Sequence, residues 1–271
     1  MSTSDEAKTR AANTYNAASD HYDHPANTFW ERHGRRTIER LALPAGARVL
    51  DVCCGSGASA LHAAAVVGPT GSVTGVDLAE SLLQLARAKA AQRGLSNIAF
   101  ETGDMTKLHY ETASFDAVVC VFGIFFVPDM EAALRELTRV LRSGGKLTIT
   151  TWGPRFFEPA NTAFWNSVRR ARPDLYKGFN PWDRVSEPET LRSLMSAAAL
   201  TEIQVSPETD SQPIAAAADW WSMVLGSGYR GTVDQLTPAE QEQVRSENLE
   251  FIQRERVQSI ESNVIYATAV K

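Results

Sequence analysis

The chain has 271 residues, of which 44% are hydrophobic, and carries a formal net charge of −5. That length and apolar content are enough to bury the core of one elaborated α/β domain. The acidic balance leaves no excess of lysine and arginine for a phosphate backbone, which argues against a nucleic acid partner. No apolar run approaches the ~20 residues that cross a bilayer, and residues 1–12 are polar. The sequence therefore predicts a cytoplasmic protein with no membrane association.

The three cysteines predict neither a disulfide framework nor a metal site. Cys53, Cys54 and Cys120 lie in or directly after segments that resemble buried strands, and no C-x-x-C spacing occurs. This usage favours a reducing compartment and argues against structural zinc.

The first 45 residues predict a helical lid, because the amphipathic stretch 29–43 ends at Pro44 and Gly46. From Arg48 onward, β-branched runs alternate with segments rich in helix formers, a pattern typical of a parallel sheet with helices on both faces. The predicted strands are 49–52, 72–76, 98–101, 115–122 and 146–152, and the predicted helices are 58–67, 80–93 and one from Asp129 to Ser143. We therefore predict a doubly wound, Rossmann-like α/β core at residues 46–153.

Residues 154–271 predict cap insertions followed by the last strands of a seven-stranded sheet. Prolines and large aromatics are frequent up to residue 185, which suggests an irregular cover over the site. A helix starting at Pro188, strands at 201–205 and 263–270, and helices at 213–225 and 237–257 complete the prediction.

The most informative segment is the glycine turn after the first predicted strand. Gly55 and Gly57 allow a close backbone approach to a ligand, and helix N-terminal amides favour a carboxylate or phosphate there. Asp77, twenty residues past Gly57, comes at the end of the next strand, where an acid can accept from ribose hydroxyls. A dinucleotide site has the same pattern, so the turn alone leaves a nicotinamide cofactor open.

Over roughly residues 10–153, the sequence resembles the class I S-adenosylmethionine-dependent methyltransferases of the ubiquinone/menaquinone C-methyltransferase-like group. The resemblance rests on four segments in order, which are residues 50–57, 74–78, 103–105 and 115–145, the last including 115–122, 127–129 and 141–145. In that family the first segment holds the methionine amino and carboxylate groups. The acid of the second segment binds both ribose hydroxyls, and the third segment faces the adenine.

The resemblance thus implies S-adenosylmethionine as the cofactor and a small molecule as the methyl acceptor. The residues that it and the neighbouring aromatics assign to the cofactor are Tyr15, Tyr22, Asp51, Cys53, Cys54, Gly55, Gly57, Ser59, Asp77, Leu78, Gly103, Asp104, Met105, Val121 and Phe122. Aromatic faces suit the positive charge of a sulfonium, which is the reason for including Tyr15, Tyr22 and Phe122.

Two departures from the family pattern bear on the site. Cys53 stands where the family often has a small residue, a tolerable substitution. Phe125 and Phe126 stand where many members have a histidine pair, which predicts an apolar acceptor wall instead of a histidine-based mechanism there. The residues predicted to contact an aromatic or apolar acceptor are Phe125, Phe126, Trp152, Phe156, Trp165 and Trp221.

Methyl transfer from a sulfonium is an in-line displacement that depends mainly on positioning, so the sequence need not contain a catalytic base. If a base is used, His21 in the lid is the first candidate, ahead of His24 and His33; His62 and His109 are interpreted as structural or exposed.

Three alternatives remain beside a small-molecule O-, N- or C-methyltransferase. A nicotinamide-dependent oxidoreductase would use the same turn, although Asp51 and the missing Tyr-x-x-x-Lys pair weigh against it. A non-catalytic protein that binds S-adenosylmethionine is the second. Arsenic methylation is disfavoured, because the cysteines are not placed as a trio around one acceptor. The acceptor and the oligomeric state, a dimer included, stay open.

Overall fold

The computed structural model describes residues 3–271, with side chains from Glu6 onward. Its elements alternate along the chain as the sequence predicts. The helices are α1 Thr3–Tyr22, α2 Phe29–Leu41, α3 Ala60–Val67, α4 Glu80–Gln92, α5 Met130–Val140, α6 Ala160–Ala171, α7 Pro188–Ala197, α8 Ala217–Leu225, α9 Arg230–Val233 and α10 Pro238–Arg254. The strands are β1 Arg48–Val52, β2 Ser72–Asp77, β3 Ile98–Thr102, β4 Phe115–Val121, β5 Leu141–Trp152, β6 Thr201–Glu208, β7 Ser211–Pro213, β8 Ser259–Glu261 and β9 Val264–Val270.

Seven strands form one sheet in the order β3-β2-β1-β4-β5-β9-β6. Strands β1 to β5 pair in parallel, while β9 runs antiparallel to both β5 and β6. The strand order reverses between β1 and β4, and in open α/β sheets ligands bind at such a point, outside the carboxyl ends of the strands. The prediction of a seven-stranded, Rossmann-like sheet is confirmed, and the candidate site lies at the reversal.

The buried core explains why the central strands were readable from sequence. Val49, Leu50, Val118, Val119 and Leu147 are fully buried. Parallel strands covered on both faces appear in the sequence as continuous apolar runs. Across residues 3–271, no helix is both long and apolar enough to cross a bilayer.

Helix α1, within the predicted lid, is the longest helix that was not predicted as a separate element. It is rich in polar residues, and several hydrogen bonds of its polar side chains tie it to distant elements. The Lys8 ammonium donates to Asp104 Oδ2 at 2.6 Å, Asn16 Oδ1 accepts from the Ser81 amide at 2.9 Å, and Asp20 Oδ1 accepts from Arg230 Nη1 at 2.9 Å. These polar contacts, together with the buried side chains of Ala18 and Tyr22, hold this helix against the core.

The chain reverses after α1 through a short 3₁₀ turn at Pro25–Asn27, so that α2 packs against α3 and β5. Gly34 permits the close approach, because a Cβ there would lie 2.8 Å from the backbone carbon of Ala58. The hydroxyl of Thr37 on α2 lies 2.7 Å from the hydroxyl of Thr150 on β5, in the buried interface between the two elements.

Some predicted boundaries were wrong. Helix α3 starts at Ala60 rather than at residue 58, because Gly57 with φ +87° prolongs the turn. The predicted helix 213–225 begins only at Ala217, and residues 211–213 instead pair with 259–261 in a separate two-stranded sheet. Helix α6 was missed inside the proline-rich segment. The division of the chain at residues 46 and 153 stays a prediction.

Candidate active site

A cavity at the carboxyl ends of β1, β2 and β4 brings together most of the residues predicted to bind the cofactor. Lining it are Tyr15, Tyr22, Cys53, Gly55, Asp77, Leu78, Gly103, Asp104, Met105, Val121 and Phe122. They come from α1 and from the segments that follow four different strands, and the strand order places those segments side by side. Helix α1 covers the cavity from the solvent side.

The Asp77 carboxylate is fixed at the end of β2 by backbone amides. Its Oδ1 accepts from the Ala79 amide at 2.9 Å, and its Oδ2 accepts from the Gly55 amide at 2.9 Å. Burial raises the pKa of this carboxyl, and the amide hydrogen bonds oppose that shift. Each carboxylate oxygen has a second lone pair, so Asp77 can accept two further hydrogen bonds from a ligand in the cavity.

The glycine turn takes a left-handed course, with Cys53 at φ +56°, Gly55 at +54° and Gly57 at +87°. Of the two glycines, only Gly55 lines the cavity, where a Cβ would lie 3.0 Å from the Tyr22 hydroxyl oxygen. A Cβ at Gly57 would instead lie 3.1 Å from Leu61 of α3. Gly57 therefore serves the packing of turn on helix rather than contact with a ligand.

Asp51, Cys54 and Ser59 also lie behind the cavity rather than in its wall. Asp51 is fully buried; its Oδ2 accepts from the Ser59 hydroxyl at 2.6 Å, and its Oδ1 has no hydrogen-bond partner among the described residues. Burial raises the pKa of Asp51 to about 7. Asp51, Cys54, Gly57 and Ser59 do not line the cavity, whereas Cys53 and Gly55 of the same turn do, and the contact of these four residues with the cofactor stays a prediction.

Cys53, in the cavity wall, and Cys120, at the end of β4, are neighbours. A hydrogen bond with the Cys120 thiol, together with burial, raises the pKa of the Cys53 thiol well above its ordinary value. Burial is the largest of several causes that raise the pKa of the Cys54 thiol. All three cysteines are free, and within residues 3–271 no three His, Cys, Asp or Glu side chains cluster as metal ligands. Protonated, buried thiols behave as small apolar groups.

Lys8 is a lining residue that the sequence analysis missed. Its ammonium contacts both Asp104 Oδ2 at 2.6 Å and the Thr106 hydroxyl at 2.8 Å. The pKa of Asp104 is lowered: burial acts in the opposite direction, but the hydrogen bonds from Lys8 and Thr106 outweigh it. Nothing local to residues 1–12 indicates this pair, which joins positions 96 residues apart.

Trp30 is the second missed residue of the cavity wall. Its ring stacks on Tyr22, with centroids 5.0 Å apart and planes at 5°. Its indole N–H is buried and has no acceptor among the described residues. Behind it, Phe122 stacks on Trp152 at 3.7 Å. The cavity wall thus combines several aromatic rings with the carboxylate of Asp77.

A second, larger cavity of about 530 Å³ adjoins the first. The two share Ala11, Tyr15 and Phe126 in their walls. We call the first the cofactor chamber and the second the acceptor chamber. The aromatic residues of the acceptor chamber are Tyr15, Phe125, Phe126, Trp165, Phe179, Trp182 and Tyr229.

Three of the six residues predicted to contact the acceptor, Phe125, Phe126 and Trp165, line this chamber. The other three do not. Trp152 is core, sandwiched between Phe122 and Phe156 at 3.7 and 4.0 Å. Trp221 is half-buried on α8 and lines neither chamber. Core packing and the lining of an apolar cavity both use large aromatic residues, so the sequence does not reveal which of the two roles an aromatic residue has.

The structure does not bring His21 to either chamber. Its Nδ1 lies 2.8 Å from Asp20 Oδ1 on the outer side of α1. His33 is buried, with Nδ1 2.9 Å from the Tyr266 hydroxyl, and burial lowers its pKa to about 3. His62 is paired with Glu31 at 2.8 Å. None of the five histidines lines the cofactor or the acceptor chamber.

Comparison with known proteins agrees with this geometry. Residues 49–145 match the family described as "Methyltransferase domain". A demethylmenaquinone methyltransferase of Staphylococcus aureus is 38% identical over 131 residues, which is 47% of this chain and 54% of the relative. The chain thus spans about half the length of the curated relatives it matches.

Solved structures show the same fold over more of the chain. The YcgJ protein of Bacillus subtilis superposes with a TM-score of 0.60 at 20% identity, covering 89% of this chain and 98% of that one. A SAM-dependent methyltransferase from Aquifex aeolicus gives 0.54 at 21% identity, covering 70% and 89%. Residues 49–145 therefore match a methyltransferase domain, and the chain has a Rossmann-like fold, in agreement with the resemblance of the four sequence segments.

Proposed function

We propose that this chain transfers the methyl group of S-adenosylmethionine to a small molecule held in the acceptor chamber. The observation that carries the proposal is the junction of the two chambers at Tyr15 and Phe126. A site for a nucleoside-containing methyl donor and a separate aromatic site for a second molecule meet there. Methyl transfer needs this arrangement of two ligands side by side.

The residues of the cofactor chamber fit the proposed cofactor. Asp77 offers two fixed carboxylate oxygens, which suits the vicinal hydroxyls of a ribose. The Trp30 indole N–H is a buried donor without an acceptor, and a carboxylate is a suitable partner for it. By the resemblance, Asp104 and the Met105 amide would face the adenine.

When bound, the cofactor supplies an electrophilic methyl group on a sulfonium. The protein's part is to position and to exclude water. Tyr15 and Phe126, with ring centroids 5.5 Å apart in an edge-on arrangement, form the partition between the chambers. Helix α1 contributes residues to the walls of both chambers. Holding the acceptor atom in line with the methyl group accounts for much of the rate gain that such an enzyme can achieve.

Apart from Glu6 and Lys177 in the acceptor chamber, the two chambers offer little for proton abstraction. Burial raises the pKa of Tyr15 above its ordinary value, so its phenol stays neutral and acts as a hydrogen-bonding group. Lys8 and the backbone amides engage Asp104 and Asp77, respectively. His21 points elsewhere, so its position does not favour a role as base. We therefore propose an acceptor whose nucleophilic atom has a free lone pair or ionises without help from the protein.

Calorimetric titration with S-adenosylhomocysteine, with NADH as the control ligand, tests the proposal. We expect micromolar binding of the first and none of the second in the wild type. Asp77→Asn should weaken that binding strongly, while Glu111→Gln, at an exposed acid outside both chambers, should not. Binding of NADH alone would favour an oxidoreductase. Binding without methyl transfer to any acceptor in a radiolabel screen would favour a non-catalytic role.

A further inference from the structure

The charges around the acceptor chamber differ in sign from the charge of the whole chain. The chain carries a net charge of −5. Among the described residues, the chamber is lined by three cations, Arg10, Lys177 and Arg184, and by one acid, Glu6. A cleft with one sign of charge and low-dielectric aromatic walls concentrates ligands of the opposite charge.

Two of these cations have no carboxylate partner among the side chains that the structure describes, which begin at Glu6. Within the part of the chain that the structure describes, neither Arg10 on α1 nor Lys177 in the loop before Pro181 lies within 4.0 Å of a carboxylate. This holds also for the carboxylate of Glu6, which lines the same chamber. In contrast, Arg184 is engaged, since its guanidinium donates to the carbonyl oxygens of Val127 and Pro128 at 2.8 and 2.7 Å. Arg184 thus fixes the wall, while Arg10 and Lys177 are available to a ligand.

Lys177 is held at the chamber by its surroundings rather than by an acid. Its ammonium lies 5.7 Å from the centroid of the Trp165 ring. Although Lys177 is exposed, desolvation by the surrounding chamber wall and the nearby positive charge of Arg10 lower its pKa. The indole N–H of Trp165, a residue that is 94% buried, has no acceptor within the described part of the chain. Two cations that repel each other across a cavity, beside an unpartnered donor, gain energy from an anion between them.

Resting on the proposed function, we propose that the acceptor is an anion, an aromatic or apolar body carrying a carboxylate or phosphate that binds Arg10 and Lys177. The aromatic wall receives the body, and the two cations receive the charged end. Because the charged end is held at the rim, the opposite end of the molecule faces Tyr15 and Phe126, where the methyl group would be delivered.

Three naphthalene probes that differ only in the head group test this assignment. 1-Naphthylacetate, 1-naphthyl phosphate and the uncharged 1-naphthylacetamide are titrated into the full chain by calorimetry, with and without saturating S-adenosylhomocysteine. We expect at least one anion to bind about tenfold or more tightly than the amide, a modest gain for two partly solvated cations. The tighter of the two anions identifies the carboxylate or the phosphate class.

The double variant Arg10→Gln/Lys177→Gln should abolish that preference and leave the amide affinity unchanged. Lys107→Gln, at an exposed lysine outside both chambers, is the matched control and should keep the preference. Equal affinities in the wild type, no binding of any probe, or a preference that survives in the double variant would overturn the inference. Binding of S-adenosylhomocysteine is measured in the same samples, so loss of the proposed function is seen separately from loss of the anion preference.

Discussion

Replacing Asp51 with Asn should remove a pH dependence of folding that arises from one buried carboxyl. Asp51 is fully buried, and only one of its oxygens has a hydrogen-bond partner, the Ser59 hydroxyl at 2.6 Å. Ionising it in that environment is costly, which is why burial raises its pKa to about 7. Asn has the same shape and can still accept from Ser59, but it does not titrate.

The size and sign of the effect follow from linkage. The pKa of an unfolded Asp is about 3.9, so the folded value is about 3 units higher, which corresponds to about 4 kcal/mol. Because the folded state holds the proton more tightly, this stabilisation is fully present below pH 4. It is lost progressively as pH rises and is gone above about pH 7.

Urea denaturation of the wild type and Asp51→Asn between pH 4 and pH 8 measures the effect. The free energy of unfolding of the wild type, minus that of the variant, should fall by up to about 4 kcal/mol over this range. Glu111→Gln, at an exposed acid, should show no comparable trend. A wild-type-minus-variant difference that does not change with pH would refute the argument that Asp51 is buried without adequate partners.

Three further predictions concern the chamber walls and the packing of the lid. Asp77→Asn should weaken S-adenosylhomocysteine binding about 100-fold in calorimetry, since two charge-assisted hydrogen bonds to the ligand are lost; an unchanged affinity would show that Asp77 does not contact the ligand. Lys8→Met should speed amide exchange of the first half of α1 a few-fold by mass spectrometry, because an ion pair whose side chains are 21% and 27% exposed contributes up to about 1 kcal/mol; unchanged exchange would mean that this ion pair does not hold α1. Gly34→Ala should lower the free energy of unfolding by about 1–3 kcal/mol, because its Cβ would lie 2.8 Å from the backbone of Ala58; full stability in urea would contradict this close approach.

The sheet and the position of Asp77 beside the glycine turn could be predicted because both depend on short-range sequence signals. Buried parallel strands appear as uninterrupted apolar runs, and the turn needs glycine at a left-handed position such as Gly55. Asp77 comes directly at the end of a strand, so its place at the sheet edge follows from the topology. Element boundaries were less certain where a turn continued into a helix, as before α3.

The remainder of the site depends on long-range contacts that no local pattern reveals. Lys8 reaches Asp104 across 96 residues, and Trp30 stacks on Tyr22 only because the Pro25–Asn27 turn reverses the chain. For the same reason, Trp152 and Trp165 could not be told apart by sequence. Both are large and almost fully buried, but one completes the core and the other faces a chamber.

Helix α1 contributes to the walls of both chambers, with Lys8 in one, Arg10 in the other and Tyr15 in each. A ligand in either chamber therefore contacts the same helix, and its binding depends on the position of that helix. Thermodynamic reciprocity then requires that if the first ligand tightens the binding of the second by some factor, the second tightens the first by the same factor. The two occupants of this protein, although they contact different side chains, should bind as a cooperative pair.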